Sequence, residues 1–235
     1  MENICPSLIR DCMGWSKDAW AKPFIETLHK KELSFKGINF IEIGAGKYSS
    51  LSPFFLHCGA HVTCSYYNED ILNDLKENND LLIQKYDIEG KINYERKDLF
   101  YLNNKYDVIL MKSVLGGVFR EKASSIDEIE EFIRYLINKN LNKNGYLFLL
   151  DNGSSIFENF LENLGSRKNR WRFFKINQLK NFNFQESFGF SSAFALEFRL
   201  KFLGKFLEKI LYYFDLIVCK FYKKNPTVIV SLFKK

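Results

Sequence analysis

The chain has 235 residues, 46% hydrophobic and 26% charged with a formal net charge of +6, which suffices for one substantial core in a single domain. Its five cysteines form no C-x-x-C pair and its three histidines are not spaced as zinc ligands, so we expect free thiols and no metal site. The first residues hold no long apolar run, which argues against a secretory signal and predicts a cytoplasmic protein.

A first helix is predicted over 16–30. Its apolar residues recur at helical spacing: Trp20, Phe24, Ile25 and Leu28. After it, an apolar run over 38–43 suits a buried parallel strand and ends in a turn that contains Gly44 and Gly46. Glycine allows backbone torsions and a close ligand approach that a side chain would obstruct. An ordinary strand-to-helix turn would also explain the glycine pair.

A helix-length segment over 50–58 and a short strand over 59–65 complete a strand-helix-strand unit. This unit predicts a nucleotide-binding half-domain. Dinucleotide-binding proteins need a third glycine in the turn, and Ser49 stands at that place. Glu42, two residues before Gly44, is an acceptor suited to the cationic amino group of an amino-acid-like cofactor.

The E-x-G-x-G pattern of Glu42, Gly44 and Gly46 resembles that of the class I S-adenosylmethionine-dependent methyltransferases. The resemblance implies an α/β fold: a Rossmann-like, seven-stranded, mostly parallel sheet with an antiparallel last strand, helices on both faces and a helical insertion before the last strand. Further strands are indicated at 92–95, 106–113, 145–151 and 227–233, and an amphipathic helix at 125–141. The implied cofactor is S-adenosylmethionine, with S-adenosylhomocysteine as the product.

The resemblance also implies where the cofactor is held. Asp98 follows the third strand, where the family places an acidic residue beside the adenine. The second strand leads into Tyr66, where the family usually has an acidic ribose ligand, and Asn68, Glu69 or Asp70 could reach the ribose instead. The full expected set is Glu42, Gly44, Ala45, Gly46, Tyr66, Asn68, Asp98, Leu99, Lys112 and Ser113.

Candidate catalytic residues follow from the same fold. The carboxyl ends of parallel strands face the ligand crevice, so Lys112 and Ser113 are expected near the transferred methyl group. A general base would help to deprotonate a sugar hydroxyl. Asp151 at the end of the fifth strand is the preferred candidate, and His57 and His61 are the next choices. Asp151 equally suits the N-cap of a following helix, and simple packing would also explain both histidines.

A long amphipathic helix is predicted over 198–222. Its apolar stripe consists of Leu203, Leu207, Ile210, Phe214, Ile217 and Phe221. The stretch 199–224 carries seven basic and two acidic residues. These charged residues interrupt the apolar run too often for a membrane-spanning helix. Packing on its own domain, a dimer interface and contact with an anionic membrane are the three interpretations.

A basic cluster over 167–172 surrounds Trp171 and is either a phosphate-binding site or a solvated loop. The D/N-P-P-Y/F/W signature of amino-group DNA methyltransferases is absent, so nucleic acid is not the expected partner. In general outline the chain resembles methyltransferases of bacterial surface-polysaccharide gene clusters.

The predicted function is O-methylation of a sugar, a glycan precursor or another small polar metabolite, including phosphorylated ones. Residues 1–36 would form an N-terminal helical cap, residues 37–153 the cofactor-binding core, and residues 154–235 the substrate side. The expected protein is a monomer or homodimer in the cytoplasm or at the inner face of the membrane. RNA methylation and a non-catalytic binding module are the alternatives.

Overall fold

The computed structural model of the protein describes residues 4–120, 124–154, 171–182, 184–189, 201–221 and 226–235. In these residues one sheet has seven strands in the order β3-β2-β1-β4-β5-β7-β6. The strands are β1 Asn39–Ile43, β2 His61–Tyr66, β3 Asn93–Arg96, β4 Tyr106–Lys112, β5 Leu141–Asn152, β6 Phe184–Phe188 and β7 Val228–Lys234. Strands β1 to β5 pair in parallel, and β7 pairs antiparallel with both β5 and β6. The predicted fold class is confirmed.

Helices cover both faces of the sheet. They are α1 Pro6–Cys12, α2 Lys17–Lys31, α3 Ser52–His57, α4 Leu72–Lys85, α5 Leu115–Val118, α6 Ile126–Asn140 and α7 Lys201–Val218. Helices α1, α2 and α3 share one apolar core with the first face, and α6 shares a second core with the other face. The N-terminal helices are therefore part of the main core of the domain.

Strand β1 is buried on both faces, as its near-continuous apolar sequence predicts. On the first face Phe40 stacks on Phe55 of α3, with ring centroids 3.8 Å apart and an interplanar angle of 15°. On the second face Ile41 and Ile43 join the core that contains α6. This double burial fixes the position of the turn that follows the strand.

Helix α6 begins where the sequence indicates. The Ser125 hydroxyl accepts a hydrogen bond from the Glu128 N–H at 3.1 Å, and the Glu128 carboxylate accepts one from the Ser125 N–H at 2.8 Å. This capping box satisfies backbone donors that a helix start otherwise leaves open. The apolar side of α6 packs in the core that contains residues of β4 and β5.

Strand β6 was not predicted from the sequence. Its residues, FQESF, are mostly half-buried, and only Phe188 is fully buried, because β6 lies at the edge of the sheet. Helix α7 follows β6 and precedes β7 along the chain, and it accounts for part of the predicted helical insertion. The remainder of that insertion, residues 155–170 and 190–200, lies outside the described residues.

Candidate active site

The turn after β1 depends on Gly44. Its φ is +71°, and a Cβ at this position would lie 2.9 Å from a methyl carbon of Val114. Only glycine adopts this conformation and fits this space without strain. The turn is closed further on, where the Gly46 N–H donates to the Ser49 carbonyl at 3.0 Å and the Ser49 N–H donates back at 3.2 Å.

Glu42 is buried behind this turn and is saturated with hydrogen bonds from the chain. Its carboxylate accepts from the N–H groups of Leu51 and Ser52, both at 3.0 Å. It also accepts from the hydroxyls of Ser50 and Ser52, both at 2.7 Å. Burial raises the pKa of Glu42, and these hydrogen bonds oppose that rise. The side chain therefore ties β1 to the start of α3, with three of these hydrogen bonds on Oε2 and one on Oε1.

A cavity of about 430 Å³ opens at the carboxyl ends of β1, β4 and β5. It is lined by Trp15, Gly44, Gly46, Ser49, Lys112, Ser113, Asn152, Trp171 and Phe173. The volume lies within the range of small-molecule sites, about 300 to 1,000 Å³. Four residues of the predicted site, namely Gly44, Gly46, Lys112 and Ser113, are brought together here.

Lys112 is the buried cation of the cavity. Its Nζ lies 4.5 Å from the ring centroid of Trp15 and 4.4 Å from that of Trp20. Burial lowers the pKa of Lys112 to about 7, although the negative charges of Glu42 and Asp151 act in the opposite direction. The aromatic faces favour the protonated form by cation–π attraction. A lysine in this environment can exchange a proton near neutral pH.

Asp151 is buried and does not line the cavity. One carboxylate oxygen accepts from the Asn152 N–H at 2.8 Å, and the other accepts from the Gly116 N–H at 3.2 Å. The Trp171 side chain also donates to it, and burial raises its pKa to about 7. Asp151 thus holds the loops after β4 and β5 together. The helix that it was predicted to cap falls on residues outside the described ranges.

Two polar atoms in the cavity wall are buried without a hydrogen-bond partner in the described part of the chain. They are the Ser113 Oγ and the Asn152 Oδ1. Ser113 also has a φ of +55°, an uncommon conformation for a residue other than glycine. Since buried polar atoms are nearly always paired, these two atoms are candidates for hydrogen bonds with a ligand.

The loop after residue 170 closes one side of the cavity. The Trp171 ring lies against Gly117, where a Cβ would come within 2.6 Å of it. Arg172 is buried and donates to the backbone carbonyls of Phe119 at 2.9 Å and of Ser124. Arg172 is therefore a structural residue that positions Trp171. Residues 167–170 of the predicted basic cluster lie outside the described residues.

The residues predicted for the adenosine part lie at the same edge of the sheet but outside the cavity lining. Tyr66 is buried and packs with Ala45 beside α4. The Asn68 side-chain Oδ1 accepts from the Asp70 N–H at 3.0 Å, and an Asp98 carboxylate oxygen accepts from the Phe100 N–H at 2.9 Å. Leu99 is buried in the core of the second face. Asn68 and Asp98 each cap a short 3₁₀ helix and remain exposed.

The two histidines are placed away from the cavity. His57 ends α3 and His61 begins β2, so both lie at the amino edge of the parallel strands. The cavity lies at the opposite, carboxyl edge. His57, predicted as a catalytic residue, therefore lies at the edge of the sheet opposite this cavity, because α3 returns the chain across the sheet before that residue is reached.

The sequence analysis missed five of the lining residues: Trp15, Ser49, Asn152, Trp171 and Phe173. Asn152 follows Asp151 at the carboxyl end of β5, and that position was the available signal. Phe173 follows a segment outside the described ranges and carries no signal in its local sequence.

Comparison with known proteins gives a match at the level of structure. No family model matches the chain, and no curated protein matches it by sequence. Coclaurine N-methyltransferase, solved with N-methylheliamine and S-adenosylhomocysteine, matches with a TM-score of 0.60 and 10% identity over 97% of this chain and 81% of that one. The fold is that of the S-adenosylmethionine-dependent methyltransferases.

Two further solved methyltransferases are similar to this chain in fold. A methyltransferase dependent on S-adenosylmethionine from Methanosarcina mazei matches with a TM-score of 0.57 and 15% identity, over 89% of this chain and 96% of that one. Magnesium protoporphyrin IX methyltransferase from Synechocystis PCC 6803, with bound S-adenosylhomocysteine, matches with a TM-score of 0.50 and 17% identity, over 70% and 73% of the two chains. At these identities the comparison shows a common fold.

Proposed function

We propose that the protein is an S-adenosylmethionine-dependent methyltransferase that methylates a hydroxyl of a sugar, a glycan precursor or another small polar metabolite. The methyltransferase fold supports the reaction class. The observation that carries the assignment of the site is the pair of unpartnered atoms, Ser113 Oγ and Asn152 Oδ1, beside the glycine turn.

The residues present fit the cofactor in one respect and depart from expectation in another. Gly44 exposes backbone at the cavity wall, as a close ligand approach requires. Glu42, by contrast, is buried and accepts four hydrogen bonds from residues 50–52 at the start of α3. In this proposal the Ser113 hydroxyl and the Asn152 side-chain Oδ1 take over the recognition of polar groups of the cofactor or the acceptor.

Bound S-adenosylmethionine would supply an activated methyl group on a sulfonium. The task left to the protein is to hold the acceptor oxygen in line, to exclude water and to take up the hydroxyl proton. Lys112 suits the last role better than Asp151, because Lys112 lines the cavity while both Asp151 oxygens are already hydrogen-bonded. The neutral Lys112 amine would accept the proton, and Trp15 and Trp20 would stabilise the resulting ammonium.

The test is a transfer assay that measures formation of S-adenosylhomocysteine with a panel of nucleotide sugars, glycans, phosphorylated metabolites and total RNA. With an accepted hydroxyl substrate, kcat/KM should rise with pH up to about 7, where Lys112 loses its proton, and then level off. Lys112→Met should lower kcat by about 10²-fold or more and abolish that pH dependence.

A matched control is Lys36→Met, since Lys36 is an exposed lysine outside the cavity lining. Unchanged kcat in Lys112→Met would overturn the role of the lysine. Methyl acceptance by RNA alone would overturn the choice of acceptor.

A further inference from the structure

The outward face of α7 is apolar and exposed. Its outer stripe consists of Phe206, Ile210, Tyr213, Phe214 and Ile217, with exposed fractions of 62%, 49%, 66%, 49% and 63%, and continues in the turn after the helix with Phe221, which is 87% exposed. These positions recur at steps of three and four residues and form one continuous face. Single exposed apolar residues are ordinary, but a contiguous patch of this kind marks an interaction surface.

The inner side of the same helix is anchored to the domain. The Tyr212 ring lies 5.4 Å, centroid to centroid, from the ring of Phe188 at the end of β6. Asp215 is 2% exposed on this side. Because the inner side already packs on the domain, the outer stripe faces away from it.

This arrangement corrects one interpretation of the sequence. Ile210, Phe214, Ile217 and Phe221 belong to the predicted stripe, yet each is about half exposed or more, so they do not form a buried core. Leu207 is half-buried, and the side chain of Leu203 lies outside the described residues. A dimer interface and a membrane surface therefore remain as occupants of this face.

Charge distinguishes the two occupants. Lys209 and Lys220 are exposed beside the outer stripe, whereas the described acidic side chain of α7, Asp215, is buried. A two-fold dimer through this face would bring the lysines of both copies to one interface, where like charges repel. A surface of anionic lipid headgroups complements the same lysines and accepts the apolar side chains.

We propose that α7 is a membrane-surface helix that lies flat on anionic lipid, with the outer stripe inserted among the acyl chains and the lysines at the headgroups. Tyr213 suits this depth, since its ring is apolar and its hydroxyl reaches water. The described helices include none that is both long and apolar enough to cross a bilayer, so the contact is peripheral. This inference is independent of the proposed reaction.

Co-sedimentation of the full-length protein with vesicles tests the proposal. The vesicles contain either phosphatidylglycerol mixed with phosphatidylcholine or phosphatidylcholine alone. Binding is expected only to the anionic vesicles and should weaken as salt is raised. Ile217→Gln should weaken vesicle binding about tenfold, because it removes an apolar side chain that would insert among the acyl chains. Lys209→Gln should weaken vesicle binding about fivefold, because it removes a charge that would face the headgroups.

The matched control is Leu81→Gln, which makes the same kind of change at a 56% exposed residue of α4 and should leave vesicle binding unchanged. Circular dichroism of each variant separates loss of folding from loss of binding. Equal binding of wild type and Ile217→Gln would overturn the proposal. A dimer in sedimentation velocity that Ile217→Gln dissociates, without vesicle binding by the wild type, would assign the surface to a second copy instead.

Discussion

Replacing Glu42 with alanine would remove the acceptor that holds the start of α3. The Leu51 N–H would lose its partner at 3.0 Å in a place that water does not reach, and the Ser52 N–H would keep only its 3.2 Å hydrogen bond to the Ser50 Oγ. Each unsatisfied buried donor costs about 1 to 3 kcal/mol, and the two serine hydroxyls can turn to other acceptors. Removing a buried carboxylate returns part of this cost, so we expect a loss of about 2 to 4 kcal/mol in the free energy of unfolding.

Urea unfolding followed by circular dichroism measures this change, since a shift of the midpoint at constant slope reports stability alone. The control is Glu26→Ala, which removes a surface ion pair with Lys22 of 2.6 Å and should change stability by less than about 1 kcal/mol. If Glu42→Ala kept wild-type stability but lost cofactor binding, Glu42 would face the ligand and the structural role derived from its hydrogen bonds would be refuted.

Three further changes test the cavity. Gly44→Ala places a Cβ at φ +71° and 2.9 Å from a Val114 methyl carbon, so it should lower the free energy of unfolding by about 1 to 2 kcal/mol. Adding Val114→Ala to the same chain should restore part of this loss. Thermal unfolding of the two variants measures both effects. Ser113→Ala removes an unpartnered hydroxyl and should weaken ligand binding several-fold in calorimetry while leaving the unfolding free energy unchanged or higher. Because burial lowers the pKa of Lys112 from 10.5 to about 7, the native state binds fewer protons than the unfolded state between these values. Its contribution to stability should thus rise with pH across that window, and Lys112→Met should flatten the curve of unfolding free energy against pH; an unchanged slope would contradict the shift.

The sheet could be predicted from sequence where the local pattern was strong. Strand β1 is apolar on both faces because it is central in the sheet. The start of α6 is marked by a serine that is followed three residues later by a glutamate. Strand β6 could not be found in this way. It is a polar edge strand that pairs with β7, some forty residues further along the chain, so tertiary pairing decides its conformation.

The candidate site was predictable only in part, for similar reasons. Gly44 and Lys112 stand at the ends of strands, and the rule that ligands bind at the carboxyl edge of parallel strands locates them. The part played by Glu42 depends on Ser50 and Ser52 folding back against it, which motif spacing does not reveal. The position of His57 depends on the direction in which α3 runs, and Trp171 reaches the cavity only through a loop held by Arg172.

Calorimetric titration of the purified protein with S-adenosylmethionine, S-adenosylhomocysteine and NAD tests the central claim most directly. We expect micromolar binding of both sulfur compounds, no binding of NAD, and loss of binding in a folded Gly44→Val variant, whose side chain would fill the turn. Absence of binding by the folded wild-type protein, or full binding by the Gly44→Val variant, would contradict the assignment of this cavity as the cofactor site.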